Sequence, residues 1–368
     1  MKILLLTTHL NLGGIGMYVL LLAKGLANKG HRVLVASSGG ELADSLASCS
    51  VEHVKINVKT KSEVNPKLLA VLSRLTKIVL ENKIDMLHAH TRVTQVLAQL
   101  LSQKTKVPYV TTCHGFFKPR AFRKAFPCWG RHCIAISEAV REHLVNDLKV
   151  KKECVSVVHN GVEIERFSRE KVDQEQKGRF KKDFGLDGGA VVIGTIARLS
   201  SIKGQCYLIS AMKLILEQEP KARLLLVGDG PEKERLLAQV KELGIESSVS
   251  FSPSTFDTSI PLSCMDVFVF PSLLEGLGLA IIEAQAMGLP IVASDVGGVY
   301  TLVKDGINGF LVRPQEPQGI ADAVLKLIRD KELAKRFGQQ GKHQVEESFN
   351  LSQMVDGIEQ VYERMVAK

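Results

Sequence analysis

The chain alternates between short apolar runs, rich in Val, Ile and Leu, and longer segments whose apolar residues recur at helical spacing. Because strands that are buried on both faces read as continuous apolar runs, this alternation predicts a parallel sheet covered by helices. In the first half, strands are expected at residues 3–7, 32–37, 84–88, 108–112, 133–136 and 155–158. Helices are expected at residues 17–28, 66–81, 93–101 and 137–145.

A second series of the same kind follows residues 165–189, which are rich in Lys, Glu, Asp and Gly and lack a long apolar run. We interpret that segment as a linker. Beyond it, strands are expected at residues 191–196, 222–227, 249–251, 267–270, 291–293 and 310–312. Helices are expected at 205–217, 232–243, 280–287 and 318–328, and a closing helix at 351–366. The predicted fold class is therefore α/β, with two Rossmann-like, doubly wound halves.

Composition agrees with this picture. A chain of 368 residues fits two domains of ordinary size, and 45% apolar with 24% charged residues is typical of a globular protein. We place the domains at 1–165 and 166–350.

The seven cysteines are scattered without metal-ligand spacing, which favours a reducing, cytoplasmic location. Residues 2–9 are interpreted as a buried strand instead of a signal peptide, and no transmembrane segment is expected.

Charge is concentrated in the first half, where residues 1–165 carry 23 Lys and Arg against 12 Asp and Glu. Within it, residues 116–132 interleave basic side chains with Phe and Trp. Such a segment suits anionic lipid headgroups or an anionic, lipid-linked acceptor, and the alternative is a solvated basic loop over a local apolar cluster. The basic residues of this segment are Lys118, Arg120, Arg123, Lys124 and Arg131.

The candidate chemistry lies in loops after the predicted strands, because ligands of open parallel sheets bind beyond the carboxyl ends of the strands. Gly13, Gly14 and Gly16 follow the first strand and precede a helix, so backbone N–H groups there can bind a phosphate. A plain tight turn would also explain these glycines. Arg198 and Lys203 follow the strand at 191–196 and can reach one diphosphate, unless the loop is only a solvated basic one.

Two carboxylates and one histidine complete the candidate set. Glu275 and Glu283 lie in an apolar loop and the helix after it, where an unpaired buried carboxylate would be costly, so both need partners. A pair of this kind suits a hydroxyl-rich ligand, although an acid near a helix start can also serve only the helix dipole. His114 ends the strand at 108–112 and is either a site residue or a structural histidine.

These residues together resemble the retaining glycosyltransferases of family 4, the group 1 glycosyltransferases, over nearly the whole chain. The most specific part is a Glu, seven residues, Glu pattern at Glu275 and Glu283. The chain has Leu277 where the family usually has Phe, and His159 where it commonly has Pro. Further matching landmarks are Gly13-Gly14, Arg198 with Lys203-Gly204, Val227 to Pro231, Ile136 to Glu138, Asn160 to Val162, and Asp305-Gly306 with Asn308-Gly309.

The resemblance implies the GT-B fold, in which two Rossmann-like domains face across a cleft and residues 351–368 pack back on the first domain. It implies that Arg198 and Lys203 hold the donor diphosphate, Glu283 the ribose hydroxyls and Glu275 the donor-sugar hydroxyls. It also implies that His114 lies against the reacting face of the sugar. The other substrate-binding residues that it implies are Gly13, Gly14, Gly16, Gly228, Gly276, Leu277, Gly278 and Leu279.

The same resemblance implies the reaction and its partners. The donor is a nucleotide-diphosphate sugar, and the leaving phosphate acts as base on the same face as the acceptor hydroxyl, so Glu275 is not a nucleophile. No metal or other cofactor is needed, because the cations and a helix start replace it. The acceptor is expected to be a cell-envelope glycan or lipid-linked precursor, reached by peripheral contact with the inner face of the membrane through 116–131. No nucleic-acid partner is expected.

Two other function classes compete with this interpretation. A nucleotide-sugar epimerase or a dinucleotide oxidoreductase could use twinned Rossmann halves, but the Gly13 loop is not followed by a clear acid about 20 residues further on, as a dinucleotide site needs. A non-enzymatic sugar-binding protein would normally carry an export signal. Release of nucleoside diphosphate, epimerised sugar or neither would distinguish the three classes.

Overall fold

The computed structural model describes residues 1–58, 67–118 and 121–367. These residues form two compact units: unit 1 comprises the described residues within Met1–Gly161 and Leu351–Lys368, and unit 2 comprises Val162–Asn350. The chain therefore enters unit 2 a few residues before the boundary predicted at 165. Among the described residues, no helix has both the length and the apolar content needed to cross a membrane.

Unit 1 is built on a seven-stranded sheet in which every pair of neighbouring strands is parallel. The strand order is β3-β2-β1-β4-β5-β6-β7, so the order reverses between β1 and β4. Val, Ile and Leu fill the inner positions of these strands, as a sheet covered on both faces requires. The strands are β1 (Lys2–Leu6), β2 (Arg32–Ser37), β3 (Glu52–Lys55), β4 (Met86–Ala89), β5 (Tyr109–Cys113), β6 (His132–Ala135) and β7 (Val155–Val157).

The helices of unit 1 cover both faces of this sheet. They are α1 (Gly14–Asn28), α2 (Ala43–Ala47), α3 (Lys67–Asn82), α4 (Arg92–Thr105), α5 (Ala121–Ala125), α6 (Glu138–Asn146) and the closing helix α15 (Leu351–Val366). Pro66, the predicted first residue of the third of these helices, lies outside the described residues. The apolar face of α15 packs on α1 in one core cluster, to which Met354, Ile358 and Tyr362 contribute.

Unit 2 has a six-stranded parallel sheet in the order β10-β9-β8-β11-β12-β13, which reverses between β8 and β11. Its strands are β8 (Val192–Ile196), β9 (Arg223–Val227), β10 (Val249–Ser252), β11 (Val267–Phe270), β12 (Ile291–Ser294) and β13 (Gly309–Val312). Its helices are α7 (Gln174–Asp183), α8 (Gln205–Gln218), α9 (Lys233–Glu242), α10 (Ser259–Ser263), α11 (Leu279–Ala286), α12 (Val299–Leu302), α13 (Pro317–Arg329) and α14 (Lys331–Ser348). The two doubly wound α/β halves predicted from the sequence are confirmed.

The linker predicted at 165–189 is wrong in its middle part, where α7 forms. The side chain of Asp173 caps this helix by accepting hydrogen bonds from the backbone N–H groups of Glu175 and Gln176. Arg179 pairs with Glu175 one turn away. The helix buries none of its residues, so the apolar periodicity that would predict it is missing.

Helix α14, which the apolar pattern did not predict, packs on α11 through glycines. An added Cβ at Gly338 would lie 2.1 Å from the carbonyl oxygen of Gly288, and one at Gly341 would lie 3.0 Å from the Gln285 side chain. Because glycines replace apolar side chains along the buried face, the helix carries only Leu333, Phe337 and Val345 as buried apolar residues. These apolar side chains are too few and too widely spaced in the sequence to predict a helix.

Close packing of α1 on α15 generates a stability prediction at Gly25. An added Cβ would lie 2.3 Å from Cγ2 of the buried Val355, so we expect Gly25→Ala to lower the free energy of unfolding by about 1–3 kcal/mol. Gly178→Ala in the exposed helix α7, where an added Cβ meets nothing within 4 Å, should raise it by about 0.5–1 kcal/mol. Urea unfolding measures both, and a stabilised Gly25→Ala would contradict the packing argument.

Candidate active site

The strand-order reversal of unit 2 places two loops beside each other at the carboxyl edge of its sheet. The loop at 197–204 follows β8, and the loop at 271–278 follows β11. Because these loops leave adjacent strands toward opposite sides, the topology predicts a crevice between them, which is where ligands of such sheets bind. The backbone N–H of Leu273 donates to the carbonyl oxygen of Ile202 at 2.8 Å, which joins the two loops.

An ion pair joins the same loops through side chains. The ammonium of Lys203 donates to the carboxylate of Glu275, and it also lies 5.3 Å from the centre of the Phe270 ring. Both side chains of the pair are partly buried, so water screens their attraction less than that of a surface pair. The carbonyl oxygen of Glu275 accepts a hydrogen bond from the N–H of Gly298 at 2.9 Å, which fixes the backbone of the second loop.

Arg198 lies in the first of these loops with its side chain exposed. Its carbonyl oxygen accepts a hydrogen bond from Nε2 of Gln205 at 3.0 Å, so the backbone of the loop is fixed. In the part of the chain that the structure describes, no acid pairs with its guanidinium. The fixed loop thus presents a planar cation, a group that binds phosphate oxygens bidentately.

Two glycines allow these loops to approach their neighbours closely. Gly204 has a φ of 66°, and an added Cβ would lie 2.0 Å from the carbonyl oxygen of Pro271. At Gly228, after β9, an added Cβ would lie 2.1 Å from the carbonyl oxygen of Ala197. Any larger residue at either position would push the loop of Arg198 and Lys203 away from the loop beside it.

The segment between the two predicted carboxylates starts helix α11. Gly278 is the N-cap residue and Leu279 the first helical residue, so the helix presents its first backbone N–H groups from these positions, where an anion can bind. The N–H of Gly276, just before the helix, donates instead to the Glu275 carboxylate at 3.2 Å. Leu277 is fully buried. The side chain at this position therefore packs into the core, and only its backbone can contact a ligand.

Glu283 lies in the second turn of α11 and is 7% exposed. One of its oxygens accepts a hydrogen bond from the hydroxyl of Thr258 at 2.9 Å. Burial raises the pKa of this carboxyl to about 7, against the opposing effects of that hydrogen bond and of Arg166. The buried acid thus titrates near neutral pH and has room for further hydrogen-bond donors, because a carboxylate offers about four acceptor positions.

In unit 1 the strand-order reversal lies between β1 and β4, and the loops after these strands are joined by a 2.6 Å hydrogen bond between the hydroxyls of Thr8 and Thr91. Gly13 caps α1 and Gly14 begins it, and both are exposed with open space where a Cβ would lie. Gly16 differs: it is buried, and an added Cβ would lie 2.2 Å from the carbonyl oxygen of Asn11. Its glycine is required by packing within the loop.

His114 follows β5 at the same edge of the sheet and belongs to a cluster that sequence reasoning missed. Its Nε2 lies 3.3 Å from Nδ1 of the buried His90, and its ring contacts Tyr18 edge-on at 4.7 Å between centroids. Burial lowers the pKa of His114 to about 3, so the imidazole is neutral. The available signal was His88-Ala89-His90 at the end of a buried strand, because polar residues ending adjacent parallel strands meet at one edge.

The basic, aromatic segment at 116–131 is fastened to unit 1 at several points. The ring of Phe116 packs on His143, and Arg92 donates to the carbonyl oxygens of Phe126 and Pro127. Arg123 is only 9% exposed, and its guanidinium lies over the rings of Phe117 and Trp129. One of the five predicted surface cations therefore packs inside the segment, while Lys118, Lys124 and Arg131 are exposed. Arg120 and the side chain of Phe122 lie outside the described residues.

Two family models match the chain and together cover most of it. The model described as Glycosyltransferase Family 4 matches residues 12–166, and the model described as Glycosyl transferases group 1 matches residues 176–344. The first match carries the Gly13 loop and His114. The second carries both carboxylates and both cations of the unit 2 crevice.

Similar proteins agree with these matches. N-acetyl-alpha-D-glucosaminyl L-malate synthase of Bacillus anthracis is 26% identical, over 97% of this chain and 95% of its own. UDP-Gal:alpha-D-GlcNAc-diphosphoundecaprenol alpha-1,3-galactosyltransferase of Escherichia coli is 29% identical, over 90% and 89%. HepE of Anabaena, solved in complex with UDP and glucose, superimposes with a TM-score of 0.86 at 24% identity, over 99% of both chains, and shares the GT-B fold. The chain belongs to the family 4, group 1 glycosyltransferases.

Proposed function

We propose that this glycosyltransferase transfers a sugar, with retention of anomeric configuration, from a nucleotide-diphosphate sugar to an acceptor hydroxyl in cell-envelope glycan or glycolipid synthesis. The observation that carries the proposal is the ion pair of Lys203 with Glu275 between the loops after β8 and β11, with the exposed Arg198 in the first of these loops. The names of the relatives support the donor class, since one uses UDP-Gal and HepE was solved with UDP and glucose.

The two cations of the crevice bind the donor diphosphate in this proposal. Arg198 engages it as a fork and Lys203 as a point charge, and the N-terminus of α11 adds backbone N–H groups. Without a donor, the carboxylate of Glu275 neutralises the ammonium of Lys203. When the diphosphate binds, the ammonium gains a second anionic partner, and the carboxylate can accept hydrogen bonds from the sugar hydroxyls.

The transfer itself needs no covalent protein intermediate. The bond between the anomeric carbon and the leaving phosphate breaks, the acceptor oxygen bonds to that carbon on the same face, and the acceptor proton passes to the phosphate. Arg198, Lys203 and the helix start stabilise the charge that develops on the phosphate, which is why we propose that no metal is required. His114 serves in unit 1 as a hydrogen-bonding group for a substrate.

An acceptor carried by a lipid fits the exposed part of the basic segment. Lys118, Lys124 and Arg131 are exposed beside the half-buried Phe116 and Trp129, an arrangement that suits anionic headgroups. The name of the Escherichia coli relative includes an acceptor of this kind, a sugar on diphosphoundecaprenol. Peripheral membrane contact follows from this proposal.

A panel of nucleotide sugars tests the donor and the reaction together. With an accepted donor, nucleoside diphosphate should be released, and NMR of the product should show the anomeric configuration of the donor. Epimerised sugar would favour the competing epimerase interpretation, and an inverted product would contradict retention. Chelators should leave the rate unchanged if no metal is required.

Lys203→Ala should weaken donor binding by about 10- to 100-fold, because it removes a charge-assisted contact to the diphosphate and leaves Glu275 without its cation. Titration calorimetry with the donor measures this. Lys213→Ala, at an exposed position in α8, is the matched control and should bind normally. Unchanged affinity in Lys203→Ala would refute the diphosphate assignment.

Glu283 generates a pH prediction for nucleotide binding. Two ribose hydroxyls can both donate only to the ionised carboxylate, and the pKa of the free group is raised to about 7. Affinity should therefore level off above about pH 8, where the carboxyl is ionised, and fall by up to about tenfold per pH unit below pH 7. Glu283→Gln should bind more weakly and lose this dependence, which separates it from ionisation of the nucleotide itself. Parallel pH profiles of the two proteins would contradict the assignment.

Membrane contact is tested by flotation with vesicles of anionic or neutral lipid. The protein should float with the anionic vesicles, and reversing the exposed charges in Lys118→Glu with Lys124→Glu should abolish this, because each contributes about 1 kcal/mol near a charged surface. Arg123 is unsuitable for charge reversal because it packs on two rings. Equal failure to float with both lipids would end the membrane proposal.

A further inference from the structure

A cluster of three imidazoles lies where β4 and β5 end in unit 1. His88 is in β4, His90 directly follows it, and His114 directly follows β5. The ring of His90 lies 4.2 Å from that of His88 and 5.6 Å from that of His114, measured between centroids. The cluster stands at the strand-order reversal of this sheet, where ligands of doubly wound folds bind.

His88 has both ring nitrogens occupied. Its Nδ1 lies 2.6 Å from the hydroxyl of Tyr362, and its Nε2 lies 2.7 Å from the hydroxyl of Thr112. It is fully buried, so its ring is held in one orientation against the ring of His90. The backbone N–H of His90 donates to the carbonyl oxygen of Leu6 at 3.0 Å, which fixes the main chain at that residue.

His90 itself is only half satisfied. It is 2% exposed, and its Nδ1 meets Nε2 of His114, but its Nε2 is buried without a hydrogen-bond partner among the described residues. An unsatisfied buried polar atom costs about 1–3 kcal/mol. A ring held in this way at a ligand-binding edge is expected to have a role that offsets the cost.

The direction of the hydrogen bond between His90 and His114 follows from the charge of the two rings and from the cost of burying an unpaired N–H. Burial lowers the pKa values of both His90 and His114, so both rings are neutral and each carries one N–H. If His114 donated through Nε2, the single N–H of His90 would lie on its buried, partnerless Nε2. If His90 donates through Nδ1, its buried Nε2 carries only a lone pair without a partner. Buried N–H groups without partners are rarer than under-satisfied acceptors, so the second arrangement is favoured.

We propose that His90 is a positioning residue that holds His114 in the tautomer with its proton on Nδ1. His114 is half-buried, and its Nδ1 makes no hydrogen bond to the described residues. It therefore presents an N–H donor to a hydroxyl or phosphate oxygen of a substrate and cannot act there as a base. The inference rests on the proposed participation of His114 in transfer.

The tautomer is measured directly by long-range 1H–15N NMR on protein labelled with 15N-histidine, with the signals of His114 identified by their loss in His114→Asn. We expect Nδ1 of His114 to give the shift of a protonated nitrogen and Nε2 that of an unprotonated one. In His90→Leu the Nε2-protonated form should become populated. A wild-type His114 protonated on Nε2 would overturn the proposal, even if His90→Leu did not fold.

Matched amides test the same point through turnover. In His90→Asn the amide nitrogen can occupy the place of Nδ1 and still donate, whereas His90→Gln extends its amide toward the place of Nε2. We expect kcat to stay within about threefold of wild type for His90→Asn and to fall by about tenfold for His90→Gln and His90→Leu, with a smaller change in KM for the donor. Equal loss in all three, with native thermal stability, would contradict a positioning role.

The two experiments also separate this inference from the proposed function. If His114→Leu, which removes the Nδ1 donor, leaves turnover unchanged while NMR shows the Nδ1 proton, the participation of His114 in transfer is wrong and the pairing with His90 stands. If turnover depends on His114 but its proton lies on Nε2, the positioning proposal alone fails.

Discussion

The ion pair between Lys203 and Glu275 is the contact on which the candidate donor site depends. It joins two loops that leave adjacent parallel strands toward opposite sides, and the backbone hydrogen bond from Leu273 to Ile202 joins them as well. Removing one partner of a partly buried pair leaves the other charge uncompensated, at a cost of up to several kcal/mol. The pair therefore keeps the two loops in place, and it holds the Lys203 ammonium where we propose that the donor diphosphate binds.

In unit 1, the loops at the strand-order reversal are joined by neutral groups instead of an ion pair. Its strand-order reversal is joined by the hydroxyls of Thr8 and Thr91, and its neighbouring strand ends carry imidazoles that burial keeps uncharged. Charged loops suit the phosphate-bearing part of a donor, and neutral donors and acceptors suit hydroxyl groups. The two sheets thus have the same kind of strand-order reversal, but the side chains at that edge are charged in unit 2 and neutral in unit 1.

Local pattern predicted most of the fold, and its failures have identifiable causes. Strands with continuous apolar runs, such as β8 and β11, were predicted within a residue or two of their bounds. Strand β3 was missed because it is short and has polar residues at three of four positions. Helices α7 and α14 were missed because the first buries no side chain and the second uses Gly338 and Gly341 on its buried face.

The sequence by itself determined which residues lie in loops after buried strands, because apolar runs and glycines act over a few neighbouring positions. It therefore identified Arg198, Lys203, Glu275 and His114 as candidates. Only the tertiary structure decided their partners, since strand order brings together residues as far apart as Lys203 and Glu275, which are separated by 72 positions. Burial, which raises the pKa of Glu283 and leaves His90 half satisfied, is likewise a property of the packed molecule.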